Sequence, residues 1–480
     1  MAQAQALALA AASAAPNGSN DPDAGPRAEA DYYERALRTR FRAFTSPAGS
    51  LPSALVLLDN VERGFPLARA LDTLAALNIT ALVTARHQPD VPRLHVQRLD
   101  VLDPAAAVAL FAERYRDKGA AWDAARDTAP ATTVVEYLGH LPLAIELQAA
   151  RAAVLQTSVA NLAAALQRDR SQGLLGDPTD ATRTMRYSFD QSLKTLTPLQ
   201  RTRFAALGLP EGPDWPRPLI ERLLAGIPDG AATGTSDDSD ASGNSDASED
   251  TEPSPRALAS ARDDLALLVA LSLASLPPPD GRVRLHPLLR EYAAARWWAE
   301  PAATQADGLL ALLDGIEGLV TEFEHDFAAL GREEEMIVSA LNLAQTSRTA
   351  PQQIVVTVNL LVEYVIQGGR SQLGDMILHW QLAALREVGD RAGEGTTHFN
   401  LGRLSDAEMD FSDAELHLRL ALAIHHELGN RTMERAILSY YGGFWERRGA
   451  RGDGDGAALL RAGARYHAGG GRPRWRGRHP

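Results

Sequence analysis

A run of apolar residues that ends in an acidic residue constrains the fold of this chain more than any other stretch. Residues Leu55–Leu58 are uninterrupted aliphatic side chains, and Asp59 follows them directly. Such a run is typical of a strand that is buried on both faces of a parallel sheet. The acid then lies at the carboxyl end of the strand, where open α/β sheets bind their ligands. We therefore predict a ligand or Mg²⁺ site at Asp59, although many buried strands that bind nothing also end in Asp.

The next stretch completes a crossover unit. A helix is predicted at about Pro66–Leu77, because proline suits the first turn of a helix, and a second apolar strand is predicted at Ile79–Thr84. A strand, a helix and a second strand at this spacing form a right-handed parallel crossover. Arg86 follows the second strand, so a cation is expected at the same sheet edge as Asp59.

Further helix boundaries are marked by capping residues. Asp103, followed by proline, predicts a helix that ends near Arg116, and Arg93–Leu99 is a candidate short strand before it. Gly139 is expected to end one helix and Pro142 to begin the next. This corner is interpreted either as a plain helix–turn–helix or as an apolar wall whose proline ring faces a flat base.

Composition and charge narrow the function classes. The 480 residues carry a net charge of −13, with eight acids in residues 229–255 and seven arginines in residues 450–480. The overall electrostatic field of the chain therefore does not favour nucleic acid, which is not expected as a partner. Cysteine is absent, which excludes disulfides, thiolate metal sites and a cysteine nucleophile. No apolar run is long enough to span a membrane, and the Ala-rich start lacks the basic region of a signal peptide, so we expect a cytoplasmic protein.

Helices followed by a hairpin are predicted for residues 181–300. Strands at Leu271–Leu276 and Arg282–Leu285 would pair across a turn rich in proline, and a helix at Pro287–Trp298 would follow. This order is typical of a winged helix. DNA binding is one interpretation, but the predicted second and third helices carry few basic residues. The acidic residues 229–255, which split this region, are either a solvated linker or an interaction segment.

Residues 304–449 repeat at a period of 40. The segment that begins at Phe411 overlays the one that begins at Ser371, and Gly442 matches Gly402. This spacing predicts an α-solenoid of tetratricopeptide-like repeats, with a generic helical bundle as the alternative. Such arrays bind a protein or peptide partner on their concave face.

The last predicted helix, at about Thr432–Arg448, carries apolar residues that a further repeat would cover. Residues 450–480 follow it and have no helical period. We therefore expect an exposed apolar patch that drives self-association. The residues of this patch are Ile437, Leu438, Tyr440, Tyr441, Phe444 and Trp445.

Taken in order, these motifs resemble those of the NB-ARC family. Its members are signal-transduction nucleotidases of the STAND class. The resemblance covers about residues 54–300 and is followed by the tetratricopeptide-like repeats. Asn60 stands beside Asp59, where many members have a second acid. The matching segments are Leu55–Asn60 as the Walker B strand, the strand ending in Arg86, Leu99–Phe111, the Gly-Leu-Pro-Leu-like His140–Leu143, and Leu285–Leu289 as the histidine motif.

The resemblance implies roles for the site residues. Asp59 would hold Mg²⁺, with Asn60 in the same cofactor-binding motif, and Arg86 would sense the γ-phosphate of ATP. Pro142 would pack on adenine as part of the apolar motif around it. His286 would contact the β-phosphate of ADP in the closed state, and so couple the nucleotide state to domain position.

Leu143 completes the predicted set of cofactor-binding residues, next to Pro142 in the same motif. The phosphates, however, lack their usual partners. No G-x-x-x-x-G-K-[ST] sequence occurs and no lysine precedes Asp59, although this motif supplies the backbone cradle and the lysine. We expect at most a weak or inactive ATPase that binds ADP or ATP with Mg²⁺ poorly. Truncation of a longer gene product is favoured, and loss of the nucleotide from a scaffold is the alternative.

The predicted fold is a partial P-loop-type α/β parallel sheet, followed by all-α helical and winged-helix domains and an α-solenoid. The function implied by the resemblance is a signalling regulator in which the nucleotide state controls domain opening and repeat-mediated protein interaction. A nucleotide-free interaction scaffold and a winged-helix transcriptional regulator are the alternatives. The predicted segments are a disordered tail (1–28), a truncated nucleotide-binding subdomain (29–122), a helical subdomain (123–180), a winged-helix-like domain (181–300), the repeats (304–449) and a disordered Gly/Arg tail (450–480).

Overall fold

The computed structural model describes residues 55–59, 61, 64–76, 79–85, 88–89, 91–92, 94–175, 177–228, 253–279 and 281–447. The chain divides into two compact units, Met1–Asp100 and Val101–Pro480. The tails predicted at 1–28 and 450–480, and residues 229–252 of the acidic insert, lie outside the described residues.

The first unit contains a parallel two-stranded sheet. The strand β1 (Leu55–Leu58), the helix α1 (Leu67–Ala76) and the strand β2 (Thr80–Val83) follow one another along the chain. The strands pair residue for residue from Leu55 opposite Thr80 onward. The predicted parallel crossover is therefore confirmed.

Two expectations for this unit are wrong. The strand β1 is not buried on both faces, because Leu55 and Leu57 are 64% and 57% exposed. Alternate residues of a strand point to opposite faces, and within the described part of this unit α1 is the one helix available to cover the sheet. The predicted strand at Arg93–Leu99 does not form either, since residues 94–99 have no regular structure.

The second unit is helical from its first element. Asp103 accepts hydrogen bonds from two backbone N–H groups in the first turn of α2, as predicted, and so satisfies donors that a helix start leaves unpaired. No helix among the described residues is long and apolar enough to cross a membrane. The helices before the repeats are α2 (Pro104–Asp117), α3 (Ala124–Tyr137), α4 (Pro142–Val154), α5 (Val159–Ser171), α6 (Ala181–Leu193), α7 (Pro198–Ala206), α8 (Arg217–Ala225), α9 (Pro255–Ala270) and α10 (Pro287–Trp297).

A minimal hairpin lies between α9 and α10. Ser275 and Arg284 form one antiparallel bridge, and Val283 pairs in the same way with the segment before α8. The predicted strand at Leu271–Leu276 is wrong as a full strand. The backbone of Ser272 is left-handed, with φ of 57°, so the chain turns after α9 and only single bridges form.

The repeat region begins with α11 (Ala302–Glu322) and runs through α12 (Phe327–Ser347), α13 (Pro351–Gln367), α14 (Ser371–Val388), α15 (Arg391–Ala407), α16 (Phe411–Glu427) and α17 (Arg431–Arg447). The helices α14 and α16 begin 40 residues apart, and so do α15 and α17. The predicted period is therefore confirmed at both helices of the hairpin.

The turns before α15 and α17 are built alike. Gly389 and Gly429 are left-handed, with φ of 75° and 67°, a conformation that glycine adopts without strain from a Cβ atom. The next residue, Asp390 or Asn430, accepts a hydrogen bond from a backbone N–H in the first turn of the following helix. Each turn thus ends one helix and begins the next.

The last helix is covered by its predecessor. Tyr441 and Phe444 stack on each other, and Phe444 also meets Phe411 edge-on. Together with Ala414 and Leu418 they form a small core between α16 and α17. The predicted exposed patch is therefore wrong for four of its members, Ile437, Leu438, Tyr441 and Phe444, which are all buried. These four residues give no support to self-association through this end.

Candidate functional site

The carboxyl edge of the sheet brings Asp59 next to Thr84. Thr84 Oγ1 donates a hydrogen bond of 2.5 Å to Oδ1 of Asp59. The ladder also continues past the strands, because the N–H of Thr84 donates to the carbonyl of Leu58 and the N–H of Val61 donates to that of Thr84. Parallel pairing thus holds a carboxylate and a hydroxyl together at an edge where Asp59 is exposed.

Carboxylate and hydroxyl oxygens are ligands of the kind that Mg²⁺ binds. In nucleotide sites the ion is held by one or two carboxylates together with substrate phosphates. Over the described residues, no group of three or more His, Asp or Glu side chains is arranged to hold a metal. Asp59 therefore fits an ion that a bound phosphate also holds, and fits poorly as a metal site by itself.

The other predicted site residues are distributed over the chain. Asn60 and Arg86 lie outside the described residues. Pro142 and Leu143 begin α4, and His286 precedes α10, so these three belong to the second unit. Their roles toward a nucleotide stay predictions.

The corner before α4 is built by two left-handed residues. Gly139 and His140 have φ of 62° and 54°, which ends α3 and directs the chain toward Pro142 at the start of α4. A Cβ atom on Gly139 would lie 2.1 Å from the carbonyl oxygen of Pro178, so this close approach requires glycine. Pro142 is exposed and Leu143 is half-buried, which leaves the proline ring accessible to a flat ligand.

His286 is the N-cap of α10. Its Nδ1 accepts a hydrogen bond of 3.2 Å from the N–H of Leu288, so the neutral ring carries its proton on Nε2. The imidazole is exposed. An Nε2–H group beside a helix N-terminus is chemically suited to an anion, because the helix dipole and the first-turn N–H groups also favour negative charge.

An ion bridge that sequence reasoning missed joins the hairpin to the repeats. Arg282 donates to both carboxylate oxygens of Glu333 in α12, at 2.8 and 3.0 Å, and also to the carboxylate of Asp214. Burial disfavours the charge of Arg282, but Glu333 and Asp214 outweigh that effect and raise its pKa. Two-point pairing with a planar guanidinium fixes orientation as well as distance. No periodicity pairs residues this far apart in sequence, so only the fold reveals the bridge.

The helices α13, α15 and α17 share a connected polar and aromatic face, called here the odd-helix face. Arg403 of α15 donates to Glu363 of α13 at 2.7 Å, and Tyr440 of α17 donates to Asp406 of α15 at 2.7 Å. The ring of Phe399 meets that of Tyr440 edge-on, with centroids 5.5 Å apart. Burial opposes the ionisation of Glu363, but hydrogen bonding to Arg403 helps to lower its pKa. Charges and rings are thus held in fixed positions across three helices.

Several histidine side chains lie close together between the repeats. Nδ1 of His398 lies 3.0 Å from Nδ1 of His417, and the two rings are stacked. Burial, reinforced by the nearby His417, lowers the pKa of His398 to about 4, and burial also lowers the pKa of His417. His379 differs, because its hydrogen bond to Asp375 raises its pKa to about 9. Near neutral pH the stacked pair is therefore uncharged, and one ring donates its proton to the other.

Half of this chain is similar to bacterial regulatory proteins. It is 32% identical over 248 residues to the regulatory protein AfsR of Streptomyces griseus, and 33% identical over 246 residues to AfsR of Streptomyces coelicolor. Each match covers 50% of this chain but only 21% and 20% of the relative, so the chain spans about a fifth of the length of the curated relatives that it matches. No family model matches the sequence.

A solved structure gives a weaker likeness. A signal transduction ATPase with numerous domains (STAND) that has a tetratricopeptide repeat sensor, from Pyrococcus horikoshii, aligns over 97% of this chain and 68% of its own, at 10% identity and a TM-score of 0.34. A TM-score this low carries no argument about the fold. The repeats are recognised from the helices α13–α17 themselves.

Proposed function

We propose that this chain is a STAND-class signalling regulator that binds a protein or peptide partner on its odd-helix face. The regulatory role in the names of its Streptomyces relatives supports a regulator, and the resemblance of residues 54–300 to the NB-ARC motifs supports the STAND class. The observation that carries the binding role is the fixed set of Phe399, Arg403 and Tyr440 across neighbouring helices. Stacked repeats present extended surfaces to other chains, and arginine, tyrosine and phenylalanine are the side chains that interfaces favour.

The bridge at Arg282 supplies the proposed coupling within the second unit. The region from α6 to α10 is interpreted as a winged-helix-like domain, with His286 at one end of α10. Because Arg282 holds Glu333 of α12, a displacement of the hairpin would carry the first repeat helices with it. Rigid-body movement of this kind is a common way to convert a local event into a change of interaction surface.

Control by the nucleotide state is the finer part of the proposal. Pro142 would pack on adenine, His286 would donate to a phosphate, and Asp59 would hold Mg²⁺ together with the phosphates. This sequence has no P-loop lysine or cradle, and each hydrogen bond to a charged group is worth roughly 1.5–3 kcal/mol. With several such bonds missing, we expect ADP to bind more weakly than about 10 μM, since each 1.4 kcal/mol is tenfold.

A peptide selection tests the partner-binding role. The immobilised full chain selects binders from a random peptide library, and each selected peptide is titrated against the chain by fluorescence polarisation. Arg403→Gln should weaken these peptides about tenfold, because it removes a fixed charge from the odd-helix face. The control is Leu416→Ser on α16, where the side chain is 54% exposed. The proposal would be contradicted if Arg403→Gln left the affinity of the selected peptides unchanged, or if Leu416→Ser lowered that affinity equally.

Calorimetry with ADP and Mg²⁺ tests the nucleotide part separately. We expect little or no heat of binding for this sequence, and His286→Ala should weaken any ADP binding that remains. A dissociation constant well below 10 μM, an order-of-magnitude threshold, would show that donors other than a P-loop hold the phosphates.

A further inference from the structure

A strongly basic cavity lies in the second unit, away from the predicted site residues. Its volume is about 500 Å³, and it is lined from α6, α7, α10 and the segment after α5. Five of its lining side chains are cations and one is a carboxylate, Asp190. The cations are Arg183, Arg186, Lys194, Arg201 and Arg296. This local excess is opposite in sign to the net charge of −13 of the whole chain.

Two of the five cations are engaged by the protein itself. Arg183 donates to the carbonyl oxygen of Gly173. Arg296 pairs with Asp190 at 2.9 Å and donates to the hydroxyl of Tyr292 at 2.6 Å. The single carboxylate among the lining residues is therefore already paired with a cation.

In the described part of the chain, the other three cations of the cavity form no ion pair. Arg186, Lys194 and Arg201 are exposed and line the same concavity, and none of them is within ion-pair distance of a described carboxylate. Lys194 is one of two lysines in the chain. Like charges that converge on one space repel each other, and a bound anion would relieve that repulsion.

The polar wall of the cavity is already fixed. Tyr187 donates to Asp169 at 2.5 Å, and the amide of Gln191 donates to the same carboxylate at 3.3 Å. Burial, together with the hydrogen bond to Asp169, raises the pKa of Tyr187, so this ring stays protonated. Anchored walls and three accessible cations make a concave site rather than an extended basic stripe.

We propose that this cavity, the α6–α10 cleft, binds a small phosphorylated ligand. Guanidinium groups match phosphate oxygens in two-point hydrogen bonds, and the lysine adds a compact point charge. The volume lies within the range of small-molecule sites. Duplex nucleic acid is the less favoured ligand, because it requires basic residues spread along a face or a helix that enters a groove.

The cleft is distinct from the predicted phosphate contact at His286. Arg296 lies in the last turn of α10, whereas His286 caps its start. Ten residues of helix separate them by about 15 Å, at 1.5 Å per residue. Phosphate binding in the cleft is therefore separate from any response of the chain to ADP.

Calorimetry of the full chain with inorganic tripolyphosphate, which has no base to contact Pro142, tests the cleft. One site per chain is expected, with a dissociation constant on the order of 10 μM. Arg186→Gln, Lys194→Gln and Arg201→Gln should each weaken binding about tenfold, and the triple variant at least a hundredfold. The three side chains are exposed, so melting temperatures should stay close to that of the parent chain.

A matched control keeps the test decisive. Arg256→Gln removes an exposed arginine from α9 and should leave tripolyphosphate binding unchanged. The proposal is overturned if the triple variant binds as the parent does, if Arg256→Gln weakens binding equally, or if His286→Ala abolishes it. Tighter binding of a 20-base-pair DNA duplex, lost in the same triple variant, would also overturn it in favour of a nucleic-acid surface.

Discussion

The sheet of the first unit and the last repeats both carry large apolar side chains but bury them very differently. Leu55 and Leu57 of β1 are 64% and 57% exposed, whereas Leu418 of α16 and Phe444 of α17 are completely buried. In the repeats each helix packs against its neighbours in sequence and beyond. In the described part of the first unit, α1 is the one helix beside two strands. An apolar run thus predicts an element, but its burial depends on what packs against it.

The largest loss of stability is expected from breaking the ion bridge between Arg282 and Glu333 in the helical unit. Arg282→Ala would leave Glu333, which is 3% exposed, without its arginine. Breaking a buried pair costs about 3–5 kcal/mol of unfolding free energy. Urea denaturation of the full chain, followed by circular dichroism, measures the loss. Arg256→Ala, an exposed arginine on α9, is the control and should cost less than about 0.5 kcal/mol.

A matched pair of leucines tests the comparison directly. Leu418→Ala removes a buried side chain that contacts Gly402 and should cost about 2–5 kcal/mol through lost burial and the cavity left behind. Leu57→Ala at the exposed face of β1 should cost less than about 1 kcal/mol. Both are measured by the same urea titration. Equal losses would mean that β1 is covered after all.

Acid should weaken the repeats. The pKa of His398 is about 4 in the fold against about 6.5 in an unfolded chain, so the unfolded chain binds more protons between these values. The contribution of His398 to the free energy of unfolding is complete above pH 6.5 and falls as the pH drops toward 4. The loss is up to about 3 kcal/mol, because each unit of pKa difference corresponds to 1.36 kcal/mol. Urea titrations at pH 6.5 and 5 measure the loss, and His398→Phe should reduce it, while His417, whose pKa burial also lowers, still contributes.

His379 makes the choice of pH range important. Its pKa is raised to about 9, so its contribution is complete below pH 6.5 and is lost as the pH rises toward 9. Between pH 5 and 6.5 that contribution is constant. A stability that stays level in this interval would contradict the assignment of the acid effect to His398.

The smallest effect is expected at the sheet edge. Thr84→Val removes the hydroxyl that donates to Asp59, and because Asp59 is exposed, water replaces much of that bond. The expected loss is about 0.5 kcal/mol, read from the melting temperature of the full chain, while Thr84→Ser keeps the hydroxyl and should match the parent. A loss above about 2 kcal/mol would show that this edge is far better packed than the comparison implies.

Local signals explain what was predictable from the sequence. The cap at Asp103 and the corner at Gly139 and Pro142 each depend on residues close together in the chain. The repeat period from Ser371 to Phe411 was visible because the same local signals recur along the chain. Propensity, capping and turn chemistry act at that range. The parallel crossover was also predictable, because its strand spacing leaves few alternatives.

Features that join distant residues were not predictable. Arg282 and Glu333 are 51 residues apart, and Arg186 and Arg296 meet at one cavity only because α6 and α10 do. The burial of Tyr441 and Phe444 was missed for the same reason, since it depends on how α16 crosses α17. The spacing of Arg183 and Arg186 on one helix face was the one available hint of the basic cleft.

The turns at Gly389–Asp390 and Gly429–Asn430 bear on how the chain folds while it is being synthesised. Each turn sets its helix boundaries with residues only a few positions apart, and short-range contacts of this kind close quickly. A helical hairpin such as α14–α15 can therefore form as soon as its second helix leaves the ribosome. Arrested nascent chains that are long enough for Ala407 to have left the ribosome should already protect this hairpin from protease. The array would then grow by one hairpin at a time, and each finished hairpin would offer a surface on which the next one forms.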